Sequence, residues 1–200
     1  MGKLVTVVGN SGVGKTTLVD ALGRHAPFVT GLEQHGERPF QRLFAQEFGR
    51  YALPNQIDYL LLRAEQEWTI RQSPGVGLQD GGLDMDFHIF TRLFWQKGYL
   101  SSDEYDLCRR LYQLIRQLLR PPDLIIRLVA PLPVVAERYG RRGRPVQIAT
   151  TADLAALEEL LNDWLDSVTE SPVVNVDASL DDPTYANDVP RLLLAMQALQ

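Results

Sequence analysis

A single cysteine, Cys108, is all the thiol that this chain of 200 residues carries, so no disulfide can form within it. Its setting, Leu107-Cys108-Arg109-Arg110-Leu111, reads as helix rather than as an activated thiol, and a reducing compartment suits it. Long apolar runs are missing as well, and Met1-Gly2-Lys3-Leu4-Val5 enters a strand pattern without an apolar signal region. A cytoplasmic protein with no membrane partner is expected. Basic charge is in short supply: Lys and Arg total 20 against 25 Asp and Glu. That balance argues against a general binder of nucleic acid polymers, which needs surplus cations to displace counterions from phosphates. No internal repeat, low-complexity tract or linker divides the chain, so one domain over residues 1–200 is expected.

What is present is a hydrophobic content of 45%, distributed as short apolar runs alternating with longer stretches of helical spacing. This alternation predicts an α/β fold, a five-stranded parallel sheet doubly wound in three layers with helices on both faces. The predicted strands are Leu4 to Val8, Pro27 to Thr30, Val76 to Gln79, Leu124 to Val129 and Val173 to Val176. Helical spacing joins Ile57, Leu60, Leu61, Ala64 and Trp68, then Ile89, Phe90 and Phe94, then Leu111, Leu114, Ile115 and Leu118, all read as core stripes. Leu154, Leu157, Leu161 and Trp164 mark another helix, and Leu192, Leu193 and Met196 a last one. Ser101-Ser102-Asp103-Glu104 has the pattern of a capping box, opening a helix that should run to about Leu119 and stop at Pro121-Pro122.

The most specific signal is Gly9-Asn10-Ser11-Gly12-Val13-Gly14-Lys15-Thr16, preceded by a strand ending at Val8 and followed by the helical run from Thr17 to Leu22. In that context it is a P-loop. Glycines let the backbone curl until its N–H groups face a phosphate, the helix start adds its positive end, and Lys15 reaches the β and γ phosphates. Thr16 offers a hydroxyl to Mg²⁺. ATP with Mg²⁺ is therefore the expected cofactor pair, and phosphoryl transfer the expected chemistry.

The acceptor has to be read elsewhere. The guanine-reading Asn-Lys-x-Asp pattern of GTPases is missing, and Asn175-Val176-Asp177 does not replace it. The second predicted strand runs into Gly31-Leu32-Glu33, which places a carboxylate at the carboxyl edge of the sheet, where ligands of open α/β folds bind. A carboxylate there can take the proton of an attacking hydroxyl. The third strand ends in Gln79-Asp80, with Asp80 a candidate to hold Mg²⁺ through water. Arg138, Arg141, Arg142 and Arg144 fall within seven residues. A lid at about 138–146, closing guanidinium groups over the phosphates, is the expectation for them.

These pieces, in this order and spacing, resemble the deoxynucleoside kinase family, whose members phosphorylate the 5′-hydroxyl of deoxynucleosides. The likeness runs from about Leu4 to Asp177. Glu33, Pro39-Phe40, Arg50-Tyr51-Ala52-Leu53-Pro54-Asn55-Gln56 and Arg63 are similar to the family's segment from catalytic glutamate to base-reading glutamine. Gln79-Asp80-Gly81-Gly82 through Asp86 to Ile89-Phe90 resembles its Asp-Arg-Ser block, and Pro122-Asp123-Leu124 through Glu137-Arg138 to Arg142-Gly143-Arg144 its fourth strand and lid. The resemblance implies Glu33 as general base, Lys15 and Thr16 as phosphate and Mg²⁺ contacts, and Arg138, Arg142 and Arg144 as lid. It implies Gln56 on the base edge, Arg63 and Asp86 as a charged pair beside it, and a homodimer built on long helices. Gln56, Arg63 and Asp86 would equally serve as a polar network packing two helices.

The match breaks at four positions. Gly81 stands where the family's block has arginine, and an arginine acting on the transition state of phosphoryl transfer is worth about 10³ to 10⁵ in rate. A lid arginine or Arg63 would have to replace it. Ala45 and Gln147 stand where the resemblance implies a sugar-reading tyrosine and its glutamate partner, and Gln34 follows Glu33 in place of a proline. A (deoxy)nucleoside is the leading acceptor. A kinase of a nucleoside monophosphate or other small metabolite, and an ATP-binding regulatory subunit without full chemistry, remain alternatives.

Overall fold

Each short apolar run of the sequence becomes a strand. The computed structural model describes residues 2–32, 38–141 and 150–199. Strands β1 (Lys3–Val8), β2 (Val29–Gly31), β3 (Val76–Asp80), β4 (Leu124–Val129) and β5 (Val173–Asp177) form one parallel sheet in the order β2-β3-β1-β4-β5. This is the predicted sheet with small shifts at the ends. β2 starts at Val29 rather than Pro27, as a proline without an N–H cannot donate to a ladder. β1 and β3 are buried, whereas the edge strands β2 and β5 keep Val29 and Val173 exposed.

Helices fill the crossovers: α1 (Lys15–Gly23), α2 (Pro39–Gln46), α3 (Phe48–Gln72), α4 (Leu83–Met85), α5 (Arg92–Gln96), α6 (Ser102–Leu118), α7 (Leu132–Arg141), α8 (Leu154–Ser167) and α9 (Val189–Gln197). Between α4 and α5 the chain widens into a π-helical segment, Asp86–Thr91, which the sequence did not announce. α1 packs on β1, β3 and α9, while α3 lies along β1, β2 and β3 with α6 laid against it. The result is a three-layer α/β arrangement. The expected capping box of α6 forms in both directions: the Ser101 hydroxyl accepts from Glu104 N–H, and Ser101 N–H donates to Glu104 Oε2 at 2.8 Å.

The predicted stripes divide into two kinds. Leu60, Ile89, Phe94, Ile115, Leu154, Leu157, Leu161 and Trp164 are core. Leu61, Trp68, Leu114 and Leu118 are not: they are 46%, 54%, 54% and 73% exposed. Helical spacing brings apolar residues to one face, but it does not say what covers that face. Cys108 is buried, and burial pushes its thiol up to about 12, so it is inert.

The amino-terminal edge of the sheet is held by buried charge as well as by apolar packing. Arg71, fully buried on α3, bonds Glu67 Oε1 and donates to the carbonyls of Arg120 and Pro121 and to Asp123. Removing one member of such a buried set leaves its partner uncompensated.

For the cap, we expect Ser101→Ala to cost about 1 kcal/mol of stability. Urea denaturation checks it, with a lower midpoint and an unchanged slope.

Candidate active site

Strand register decides which chemistry meets. Val7 of β1 pairs with Asp80 of β3, and Gly81 N–H donates to Val7 O at 2.9 Å. The carboxyl ends of two adjacent parallel strands therefore carry the glycine loop and a carboxylate side by side. Thr16, the second residue of α1, donates its Oγ1 proton to Asp80 Oδ2 at 2.5 Å. Asp80 is 1% exposed, and its Oδ1 makes no hydrogen bond among the described residues. A hydroxyl and a buried carboxylate oxygen with spare acceptor capacity, beside a phosphate loop, is a donor set that fits Mg²⁺ shared with phosphate oxygens.

The loop takes the expected form. Gly9, Gly12 and Gly14 have φ of 149, 89 and 114, and Lys15 folds its Nζ back onto Gly9 O and Asn10 O at 3.0 and 3.1 Å. Gly14 is required twice over. Its φ disfavours a side chain, and a Cβ there would stand 2.6 Å from Tyr185 Oη. Asn10 is buried and fixes the loop from outside: its Nδ2 donates to Leu154 O at 2.8 Å and Glu158 Oε2 at 3.0 Å, and its Oδ1 accepts from Ser11 N–H. Glu158 Oε1 accepts in turn from Arg127 Nη2 at 2.9 Å. α8 thus braces the phosphate loop through one carboxylate.

Beside the loop is a cavity of about 230 Å³, walled by Gly12 to Gly14, Thr17, Arg138 and the segment Leu180 to Tyr185. Arg138 donates to Ala178 O at 2.6 Å and Leu180 O at 2.8 Å, tying that segment to α7. Its guanidinium is engaged with carbonyls here. Arg142 and Arg144, the other expected lid residues, lie outside the described residues, as do Glu33, Gln34 and Gln147. Leu32, the residue before Glu33, is anchored at this edge of the sheet, its carbonyl accepting from Gln66 Nε2 at 2.8 Å.

The expected base-side residues come together. Arg63 Nε donates to Asp86 Oδ2 at 2.6 Å, with both side chains buried. Gln56 donates from Nε2 to Thr91 Oγ1 at 2.7 Å and accepts from Asn55 at Oε1. Gly81 explains how Arg63 fits, because a Cβ on Gly81 would stand 3.2 Å from Arg63 Nη2. A side chain at position 81 would press on the guanidinium of Arg63.

Sequence reasoning missed Tyr185, Glu158 and the segment after β5. Tyr185 is the one non-glycine residue with positive φ among those described, at 47. Burial pushes its phenol up to about 12, and its Oη lies 3.5 Å from Gly14 O. The turn that presents it was legible in part. Asp182-Pro183-Thr184 is a turn signature, and Asp182 Oδ1 accepts from Thr184 N–H at 2.9 Å. The contact of Tyr185 with a loop 171 residues away was not.

The family model described as "Deoxynucleoside kinase" matches residues 5–192. The chain belongs to the deoxynucleoside kinase family. It is an ATP-dependent phosphotransferase whose acceptor is a nucleoside hydroxyl. The deoxyadenosine/deoxycytidine kinase of Bacillus subtilis (strain 168) is 27% identical over 188 residues, 92% of this chain and 86% of that protein. The deoxyadenosine kinase of Dictyostelium discoideum is 30% identical over 165 residues, 80% of this chain and 64% of that one. The fold matches a solved deoxyadenosine kinase of M. mycoides with dCTP bound, at a TM-score of 0.81 and 19% identity, covering 96% of this chain and 99% of that one. Among the described residues no helix is long and apolar enough to cross a membrane.

Glu158 supplies a test of the brace. Glu158→Ala should raise the KM for ATP several-fold with kcat nearly unchanged, by loss of about one hydrogen bond's worth of loop order. Glu158→Gln, which keeps an acceptor for Asn10, should restore most of it. Steady-state kinetics over ATP concentration separates the two variants.

Proposed function

We propose that this kinase phosphorylates the 5′-hydroxyl of deoxyadenosine or deoxycytidine, with Mg·ATP as donor, in nucleotide salvage. The observation that carries the acceptor class is the buried Arg63–Asp86 pair beside Gln56. An aspartate held ionised by a guanidinium accepts hydrogen bonds and donates none. It therefore favours a base edge with an exocyclic amino group, which adenine and cytosine both present next to a ring-nitrogen acceptor. A carboxamide reads that donor and acceptor pair with its own acceptor and donor. Relatives whose names specify deoxyadenosine or deoxycytidine agree with this choice.

In this reading the amides from Gly12 to Thr16 and the Lys15 ammonium hold the β and γ phosphates, and the cavity between Thr17, Arg138 and Tyr185 takes the donor's nucleoside end. Thr16 Oγ1 and Asp80 would hold Mg²⁺, which would supply charge neutralisation to the phosphates. Glu33 takes the proton of the 5′-hydroxyl as it attacks the γ phosphorus in line, and the oxygen bridging the β and γ phosphates leaves with ADP. Arg63, beside Gly81, supplies the positive charge that an arginine at position 81 would bring, with Arg142 and Arg144 closing from the lid. A reducing, cytoplasmic setting suits Cys108.

The exposed stripe of Leu61, Trp68, Leu114 and Leu118 on the neighbouring helices α3 and α6 is the surface we assign to a homodimer. Light scattering should give twice the chain mass of 22.5 kDa. Leu118→Glu together with Leu61→Glu should bring it to one chain mass.

A nucleoside panel with Mg·ATP tests the activity. Deoxyadenosine and deoxycytidine should give monophosphates, with kcat/KM falling about 10² to 10⁴-fold in Glu33→Gln. Lys15→Ala should lower it by at least about 10²-fold. Turnover of monophosphates and not of nucleosides would replace this acceptor assignment.

A further inference from the structure

At the opposite end of the sheet from the phosphate loop, beside the start of β4, is a second cavity of about 310 Å³. It falls within the size range of small-ligand sites. Its walls are Asp84 and His88 from the chain after β3, Tyr112 and Arg116 from α6, Trp164 at the end of α8, and the turn that carries Glu170. Phosphoryl transfer uses none of these groups.

The hydrogen bonds of the cavity fix what it can recognise. Tyr112 Oη donates to Asp84 Oδ1 at 2.8 Å, so at its 3.0 Å contact with His88 Nε2 the phenol oxygen accepts and the imidazole donates. That tautomer leaves Nδ1 as an acceptor on a ring lining the cavity. Burial holds His88 below its ordinary range, which keeps the ring neutral. Among the described residues Arg116 is the only guanidinium in the lining, and it is saturated. Nε donates to Asp84, Nη2 to Asp84 and Glu67, and Nη1 to Glu67 and two carbonyls. With all its donors committed, it has nothing left for an anion. Ser171 and Ser167 likewise give their hydroxyl protons to the carbonyls of Pro122 and Trp164. Acceptors therefore remain on the wall: His88 Nδ1, the second lone pair of Asp84 Oδ2, whose carboxylate is balanced by Arg116, and Glu170, which has no ion pair among the described residues and carries the unbalanced charge. Trp164 and His88 stack on each other, nearly parallel at 10° with centroids 5.9 Å apart, so each covers one face of the other.

We propose that this cavity is a second binding site, separate from the kinase site, for a small planar organic cation such as an amidinium or guanidinium. The flat body lies against the indole face of Trp164 that His88 leaves uncovered, where an aromatic face attracts cations. The N–H groups donate to His88 Nδ1 and to the carboxylates of Asp84 and Glu170. A neutral isostere keeps the stacking and loses the charge, and an anionic one meets the Glu170 carboxylate and a spent arginine.

Calorimetric titration of the full chain with benzamidinium, benzamide and benzoate tests this, in the presence of a saturating non-hydrolysable ATP analogue so that the phosphate site is occupied. Benzamidinium should bind saturably, benzamide more weakly and benzoate not at all. Glu170→Gln, on an exposed residue, and His88→Phe, which keeps a ring and removes the acceptor, should each weaken benzamidinium about five- to tenfold, the worth of one hydrogen bond to a charged group. Affinity for the ATP analogue should be unchanged in both. Absence of saturable benzamidinium binding, equal binding of benzoate, or wild-type affinity in both variants would overturn the proposal.

Discussion

The register of β1 against β3 is the constraint on which the rest of the molecule depends. Parallel pairing of Val7 with Asp80 makes a glycine-rich turn and a buried carboxylate leave the sheet at the same edge, a few ångströms apart. A shift of one residue would turn the Asp80 side chain to the other face of the sheet and separate it from Thr16. Thr16 is positioned by a helix start and Asp80 by a strand end, and the two meet in a hydrogen bond. Little reorganisation is then needed when charge arrives, and that preorganisation is where most of the electrostatic benefit of a phosphoryl-transfer site comes from.

The surroundings keep this edge rigid on one side and adaptable on the other. Asn10, Glu158 and Arg127 connect the phosphate loop to α8 and β4 through side chains that each have two or more partners. Tyr185 and Arg138 hold the segment after β5 against the same loop. On the acceptor side, Gly81 is the informative position. A residue without a side chain lets the buried Arg63 guanidinium approach the strand end while Arg63 stays paired with Asp86. We propose that this guanidinium, delivered from α3, supplies the positive charge that position 81 lacks.

Much of this was legible in the residues because it is local. The strand ends, the capping box of α6 and the P-loop are each set by chemistry within a few positions, and the Arg63–Asp86 pair followed from the family resemblance. What was not legible depends on distant partners. Apolar spacing on α3 and α6 correctly gave two helices, yet it could not separate Leu60 and Ile115, which meet the core, from Leu61, Trp68, Leu114 and Leu118, which meet solvent. The contact of Tyr185 with the phosphate loop and the bracing role of Glu158 each cross more than a hundred residues. The π-helical segment of Asp86–Thr91 has no sequence signal of its own. It places Asp86 toward Arg63 and His88 beside Tyr112, which a regular α-helical register would space differently.

The central claim is that one edge of the sheet holds both phosphate and acceptor, so the most direct test is a crystal structure of this chain with Mg²⁺, a non-hydrolysable ATP analogue and deoxyadenosine. The account predicts the β and γ phosphates on the amides of Gly12 to Thr16, the metal on Thr16 Oγ1 and facing Asp80, and the 5′-hydroxyl between Glu33 and the γ phosphorus. A nucleoside seated away from the Arg63–Asp86 pair, or a metal held by neither Thr16 nor Asp80, would contradict it.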